Sequence, residues 1–312
     1  MTQSDPPLIS VCLPVYNTER YVADAVESIL DQTLGDFELL ILDDGSTDGS
    51  PEVLRRYAGR DPRIRLTSRP NKGLVTTLNE LIDQSRGEFL ARMDADDIAL
   101  PERFARQVGY LRAHPECVLV GSRVRLIDPE GDPLCDWCTD QEHEVLDARL
   151  LGGERITSIC NPSVMMRRDA VLAVGKYRLI QLLEDNDMFL RLAEYGRLAN
   201  LPEVLLQYRV HASNISKSAS SHDEMDRLFP EIVRDARRRR NLPEAGDPPG
   251  LSAAPGPPRT DLTPTEEREK WAWWALRSNH IKTARKHAFW VLGRAPLSPR
   301  SWKLMYCVRR GH

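Results

Sequence analysis

The sequence has no run approaching the roughly 20 apolar residues that a membrane-spanning helix needs, so no span is expected. Its opening, MTQSDPPLIS, lacks the basic start and apolar stretch of a signal peptide, and the cytoplasm is the expected address. Cysteine is sparse, with six in 312 residues. Cys12, Cys117, Cys160 and Cys307 stand singly. Cys135 and Cys138 form one CxxC with no second pair at zinc-ribbon spacing, so free thiols in a loop are expected rather than a metal or redox centre. A disulfide-stapled mini-protein is excluded. Acid is missing altogether from Lys270 to His312, which hold ten Lys and Arg and five of the six tryptophans. The rest of the chain is acidic, with 33 basic and 46 acidic side chains. An acidic body with a basic, aromatic tail points to two regions with different partners.

What is present suffices for a folded protein. Hydrophobic residues make up 41% of the chain, enough to bury a substantial core and to exclude disorder throughout. The first hundred residues alternate strand and helix signals. Strands are expected at Ile9–Pro14, Phe37–Leu42, Ile64–Leu66 and Phe89–Met93. Helices are expected at Arg20–Leu30, Pro51–Tyr57, Leu74–Gln84 and Pro101–Ala113. This order implies a mostly parallel sheet with helices on both faces, and ligands in such sheets bind beyond the carboxyl ends of the strands. A mixed region follows, with strand-like Val118–Ile127, Ser163–Met166 and Val204–Tyr208 and helical Gln141–Leu150 and Asp187–Glu194. Residues 241–264 carry seven prolines and three glycines and read as a linker. Three short helices are expected beyond it, over Thr265–Ser278, Ile281–Leu292 and Ser298–Arg309. The expected organisation is therefore a body over 1–240, a linker over 241–264 and a helical tail over 265–312.

Three acidic clusters sit where a ligand would bind. Asp43 and Asp44 follow the second strand and open DDGSTDG. Asp44, Ser46, Asp48 and Gly49 resemble the start of a calcium loop, but position twelve is Arg55 where Glu is required, which excludes it. Asp, Gly and Ser also simply make turns, although two adjacent carboxylates exceed what a turn requires. Arg92-Met93-Asp94-Ala95-Asp96-Asp97 follows the fourth strand. Three carboxylates in four residues repel unless a cation neutralises them, and hard oxygen ligands suit Mg²⁺ or Mn²⁺ bridging a diphosphate. A phosphatase of the haloacid-dehalogenase type also carries such a DxD, but the small hydroxyl residue expected soon after it is missing. Glu184-Asp185-Asn186-Asp187 precedes a helix. Asp187 suits the helix N-terminus and an i, i+4 pair with Arg191, while Glu184 and Asp185 are expected on an exposed loop, where a carboxylate can act as a general base.

These clusters, in this order, resemble the family 2 glycosyltransferases of the GT-A fold, from Ser10 to about Ser216. The resemblance is carried by LPVYNTERYVADAVESILDQTLGDFELLILDDGSTDGS, NKGLVTTLNELIDQSRGEFLARMDADDIALPERF, NPSVMMRRDAVLAVGKY and LLEDNDMFLRLAEYGRLANLPEVLLQYRVHASNIS. It implies an α/β GT-A (Rossmann-like) fold with a C-terminal helical appendage. It further implies an inverting enzyme that moves a sugar from a nucleotide-diphosphate sugar, expected to be UDP-linked, to a glycan or lipid-linked acceptor in cell-surface polysaccharide synthesis. Pro14, Tyr16, Asn17 and Glu19 would line the nucleotide pocket. Asp43 would read the base with Asp44 beside it, and Asn71 and Gly73 would border the donor. Arg92, Asp94 and Ala95 would flank the nucleotide-sugar, while Asp94, Asp96 and His211 would hold Mn²⁺ or Mg²⁺. Asp185 would be the catalytic base and Glu184 its partner. A catalytically silent nucleotide-sugar or glycan binder on the same fold is the rival reading, disfavoured by the intact DxD and base.

The tail lies outside the resemblance. It reads as helices packed on the body, as a peripheral contact with an anionic membrane at the inner face of the cell envelope, or as a nucleic-acid binder. The acidic body and the lack of any nucleic-acid motif argue against the last.

Overall fold

The computed structural model describes residues 6–137, 140–152, 159–180, 182–211, 214, 219–243 and 262–311. The chain opens with β1 (Ile9–Val15), α1 (Val22–Leu30), β2 (Phe37–Asp43), α2 (Ser50–Ala58), β3 (Ile64–Ser68), α3 (Leu74–Gln84) and β4 (Phe89–Arg92). β5 (Ile98–Ala99), α4 (Arg103–Ala113), β6 (Cys117–Ile127), β7 (Pro133–Trp137) and α5 (His143–Gly152) come next. β8 (Met165–Arg167), α6 (Arg168–Ala173), α7 (Glu184–Tyr195), β9 (Arg197–Arg209) and α8 (Ala219–Arg239) complete the body. The tail forms α9 (Pro264–Arg277), α10 (Ile281–Arg294) and α11 (Pro299–Arg310).

One sheet runs in the order β3-β2-β1-β4-β8-β6-β9-β5, with β7 paired to β6. Its first four strands are parallel, as the β-α alternation requires. Beyond β4 the direction mixes, because β8 runs antiparallel to both β4 and β6, while β9 runs parallel to β6. The central strands are apolar on both faces. Val11, Leu13, Leu39 and Ile41 pack into the core on one side, and Cys12, Leu40 and Leu42 into the core on the other. This two-residue alternation is why FELLIL reads as a continuous apolar run. α1 closes the first side with Val22, Ala25, Val26 and Ile29, its i, i+3, i+4, i+7 stripe.

The element boundaries depart from the sequence expectations in instructive places. β9 begins at Arg197 rather than Val204 and supplies a 13-residue strand that ends beside the acidic cluster after β4. α7 begins at Glu184, three residues earlier than expected. The expected linker falls largely on residues 244–261, outside the described residues, as does Cys138 of the CxxC. Cys135 lies half-buried in β7.

The tail is packed on the body. Trp271, Ala272, Ala275 and Leu276 of α9, Ala284, Ala288 and Val291 of α10 and Leu304 and Val308 of α11 form a third core with Leu134 of β7 and Val210. Polar groups fasten the same contact. Asp128, fully buried, accepts from Lys286 Nζ at 2.6 Å and sits 3.0 Å from His287 Nε2, while Lys286 also pairs with Asp132. Among the described residues, no helix is long and apolar enough to cross a membrane.

Candidate functional site

β1, β2 and β4 are adjacent and parallel, so the segments after Val15, Asp43 and Arg92 emerge at one edge of the sheet. Elementary bonding then ties the first two segments together. Asn17, at φ 50°, accepts from Thr47 N at 2.8 Å and donates its own N–H to Ser46 Oγ at 2.9 Å. Glu19 accepts from Gly49 N at 2.9 Å and donates its N–H to Asp48 at 2.9 Å. A Cβ at Gly49 would stand 2.3 Å from Glu19 Oε1, so only glycine permits that approach. Both side chains therefore brace loops. Tyr16, just before Asn17, is half exposed, and Pro14 is buried within β1.

The two aspartates after β2 divide their work. Asp43 is 3% exposed and accepts from Ser46 N at 3.0 Å. Asp44 accepts from Lys72 N at 2.8 Å and Gly73 N at 2.9 Å and pairs with Arg69. Its carboxylate thus shapes the loop that carries exposed Asn71 and places Gly73, at φ 87°, at the start of α3.

After β4, one oxygen each from Asp94, Asp96 and Asp97 lie within 4.8 Å of one another. Arg92, 2% exposed, donates to Asp94 Oδ1 at 2.6 Å and to the Met93 carbonyl. Asp94 and the Met93 carbonyl therefore orient its guanidinium. The Ala95 methyl belongs to the core, which leaves its backbone for the site. Asp96 Oδ2 sits 2.9 Å from His211 Nε2, and the imidazole stacks on Tyr21 with ring centroids 5.0 Å apart. Asp97 is fully buried. Its Oδ1 accepts from Arg209 N at 2.8 Å, and Oδ2 has no partner among the described residues. Arg209 binds the Asp96 carbonyl at 2.8 Å, Pro129 O at 3.1 Å and Asp24 at 3.0 Å, and locks the acidic turn to α1.

Glu184 and Asp185 occupy the first turn of α7 rather than an exposed loop, a correction to the sequence expectation. Leu183 and Met188 beside them are buried, and the backbone turns helical early to keep both in the core. Glu184 is 7% exposed. Burial pushes its carboxyl up to about 8, with Asp185 adding repulsion. Burial also raises Asp185, partly offset by the Asn186 N–H at 2.7 Å and by Arg92. Asp94 acts on both carboxyls, so the turn after β4 and the first turn of α7 share one electrostatic site. Asp94 and, more strongly, Asp97 are raised as well, chiefly by burial. Asp187 instead pairs with Arg191, at 2.7 Å.

The geometry thus joins Asp94, Asp96, His211, Glu184 and Asp185 through Arg92 and the acidic turn. It joins Asn17, Glu19 and Asp43 in a second group next to it. Tyr21, whose ring stacks on His211 and whose N–H donates to the Thr18 carbonyl, and Arg209, which holds the acidic turn, were both missed by sequence reasoning. The available signal was a cation two residues before His211 at the end of a strand, where apolar residues are the norm. The chemistry is that of an oxygen-rich, electronegative site with two weakly acidic carboxyls beside it, which can hold a hard cation and accept a proton.

A sheet of this order, with acidic turns at its carboxyl edge, is the frame of the GT-A transferases, and solved structures agree. TarS residues 1–349 from S. aureus, in complex with UDP-GlcNAc, superposes at a TM-score of 0.59 with 16% identity over 97% of this chain and 87% of that one. The mannosyltransferase PcManGT from Pyrobaculum calidifontis, in complex with GDP-Man and Mn²⁺, gives 0.55 with 19% identity over 99% and 86%. Residues 10–174 match the model of glycosyl transferase family 2, and the chain belongs to that family. EpsE of Bacillus subtilis is 33% identical over 76% of this chain and 84% of its own length. The amylovoran biosynthesis glycosyltransferase AmsE of Erwinia amylovora is 31% identical over 67% and 79%. The protein is a glycosyltransferase.

Proposed function

We propose that the protein transfers a sugar, with inversion, from a UDP-linked donor to a glycan or lipid-linked acceptor in cell-surface polysaccharide synthesis, with a divalent cation bound. The observation that carries this reading is the Asp94–Asp96–Asp97 turn facing the Glu184–Asp185 pair, with Arg92 their shared cation. The donor set fits Mn²⁺ or Mg²⁺. It is made of carboxylate oxygens with His211 on Asp96, and one buried oxygen of Asp97 lacks a partner among the described residues. Asp94, Asp96 and His211 would hold the cation, which when bound stabilises the negative charge of a departing diphosphate. A neighbour of the same fold contains UDP-GlcNAc and another GDP-Man with Mn²⁺, and AmsE is named for polysaccharide biosynthesis, which supports the same assignment.

The chain's own residues then do the following. Asn17 and Glu19 hold the β1 and β2 loops around the nucleotide, and Asp43 contacts its base, with Asn71 and Gly73 at the border. An acceptor hydroxyl has too high a pKa to attack unaided. Asp185 takes its proton, and burial has already raised the affinity of this carboxylate for a proton. Glu184 beside it holds a proton at neutral pH and so keeps a second negative charge away from the base. Attack from the face opposite the diphosphate inverts the anomeric carbon. A cytoplasmic address, at the inner face of the membrane, would suit a lipid-linked acceptor.

Melting temperature measured with UDP-, GDP- and dTDP-sugars, with and without Mn²⁺, tests the donor, because a ligand bound only by the folded state raises it. A manganese-dependent rise with a UDP-sugar is expected, and no response to any activated sugar would overturn the reading. Asp185→Asn should keep that rise and lower turnover by about 10²–10⁴-fold. Full activity in the variant would remove Asp185 from the role, and a donor response without any turnover in the unaltered protein would favour the silent binder.

A further inference from the structure

Among the described residues, the tail core leaves one surface without a partner. α11 buries Ser301, Leu304 and Val308 against the other tail helices, so its opposite face carries Trp302, Lys303, Tyr306, Arg309 and Arg310. Leu297, in the turn between α10 and α11, is 95% exposed, and Trp302 and Tyr306 are each more than half exposed. The three are contiguous. Trp302 Nε1 donates to the Pro296 carbonyl at 2.7 Å, which holds the indole over the turn, and Tyr306 follows one helical turn later. Arg310 stacks on the Tyr306 ring at 4.4 Å, and Arg294 stacks on Trp290 at 4.9 Å. Among the described residues, Arg294, Lys303, Arg309 and Arg310 have no carboxylate within salt-bridge distance, and none of the 43 residues from Lys270 onward is acidic.

We propose that this tip is a docking surface for an anionic lipid bilayer. Leu297, Trp302 and Tyr306 enter the headgroup layer, and Arg294, Lys303, Arg309 and Arg310 meet lipid phosphates around them. Three properties favour a bilayer over a protein partner. The apolar residues protrude from a turn and a convex helix face rather than lining a groove, and a deformable interface accepts such a wedge. Trp and Tyr combine an apolar ring with a polar edge, which suits the headgroup boundary. The four cations around them have no ion-pair partner among the described residues, so they complement anionic headgroups. The proposal rests on the C-terminal helices alone and is independent of the donor site. A failed donor response would leave it standing, and the converse holds too.

Flotation of the full chain with vesicles of phosphatidylcholine alone, and with phosphatidylglycerol added, tests it. Binding to the anionic vesicles only, weakened by raised salt, is expected. The Arg309→Gln, Arg310→Gln double variant should lower the partition by roughly 25-fold, about fivefold for each basic side chain removed. Trp302→Ala with Tyr306→Ala should lower it further. Both variants alter exposed side chains, and an unchanged melting temperature confirms that they fold. Equal recovery with both vesicle types, no recovery with either, or variants that float like the parent would overturn the proposal. So would a concentration-dependent dimer abolished by Trp302→Ala with Tyr306→Ala, which would assign the surface to a second copy of the chain.

Discussion

Glu184 illustrates how one residue can lower stability for the sake of a site. Its carboxyl is buried beside Asp185, and the fold holds its pKa at about 8 against 4.5 in an unfolded chain. Between those values the folded state keeps a proton that the unfolded state releases, so this residue makes stability fall as pH rises from about 4.5 to 8. Glu184→Gln removes the titration and keeps the shape. The variant should melt higher than the parent at pH 8, by on the order of 5 °C, and the gain should vanish below about pH 4.5. Equal melting curves at pH 8 would show that Glu184 is ionised at no cost in the fold. Arg92 makes the complementary case. Burial opposes its charge and Asp94 favours it, and its field also reaches the Glu184 and Asp185 carboxyls, so two acidic segments distant in sequence share one cation.

At the scale of elements, the site depends on loops whose shape is set by a few buried acceptors. Asp44 orders the β3–α3 loop through two backbone N–H groups and Arg69, and Asp44→Ala would leave all three without that partner. A loss of about 2–4 kcal/mol is expected from chemical denaturation, with Asp44→Asn losing less. Gly45 sits at φ 76°, and a Cβ there would stand 2.7 Å from Asn71 N, so Gly45→Ala should displace the same loop and weaken any donor response. This loop also shows how far the sequence could be read. The apolar runs and the Asp-Gly-Ser turn after β2 were legible, because a buried strand and a turn are written locally. That Asp44 faces the 69–73 loop was not legible, since the contact joins residues 28 apart through backbone groups common to every sequence. The start of α7 was misplaced for a related reason. Glu184 and Asp185 look like solvent-facing residues until Leu183, Met188 and Arg92 draw them inward. β9 was legible only from Val204, because Arg197–Leu201 pairs with β6 ahead of a register shift that no local pattern announces.

For the molecule as a whole, the question is what holds a basic tail on an acidic body. The apolar third core supplies area, but the polar clamp sets the docking position. Asp128 accepts from Lys286 and from the backbone of Glu130 and Asp132 and lies against His287. The same turn meets the acidic edge of the sheet, since Pro129 O accepts from Arg209, whose backbone and side chain hold Asp97 and Asp96. The tail therefore touches the acidic turn through two intermediates, Asp128–Pro129 and Arg209. Lys286 and His287 hold the Asp128 carboxyl well below the usual carboxylate range, and Asp128 and Asp132 raise Lys286. The contribution of Asp128 is complete above about pH 4, the unfolded value, and is lost as pH falls through the depressed folded value. That of Lys286 is complete below about pH 10 and is lost as pH rises beyond its raised value. Asp128→Ala removes the buried acceptor from Lys286 and His287, while Lys286 keeps Asp132 and Glu130, so it should destabilise the docked tail by about 1–3 kcal/mol at neutral pH. Tryptophan fluorescence reads this directly, because five of the six tryptophans lie in the tail. The variant should show a red-shifted emission or an early first transition in denaturant that the parent reaches only in acid below about pH 4. If Asp128→Ala and the parent unfold in one identical transition, the clamp contributes nothing and the apolar core alone holds the tail in place.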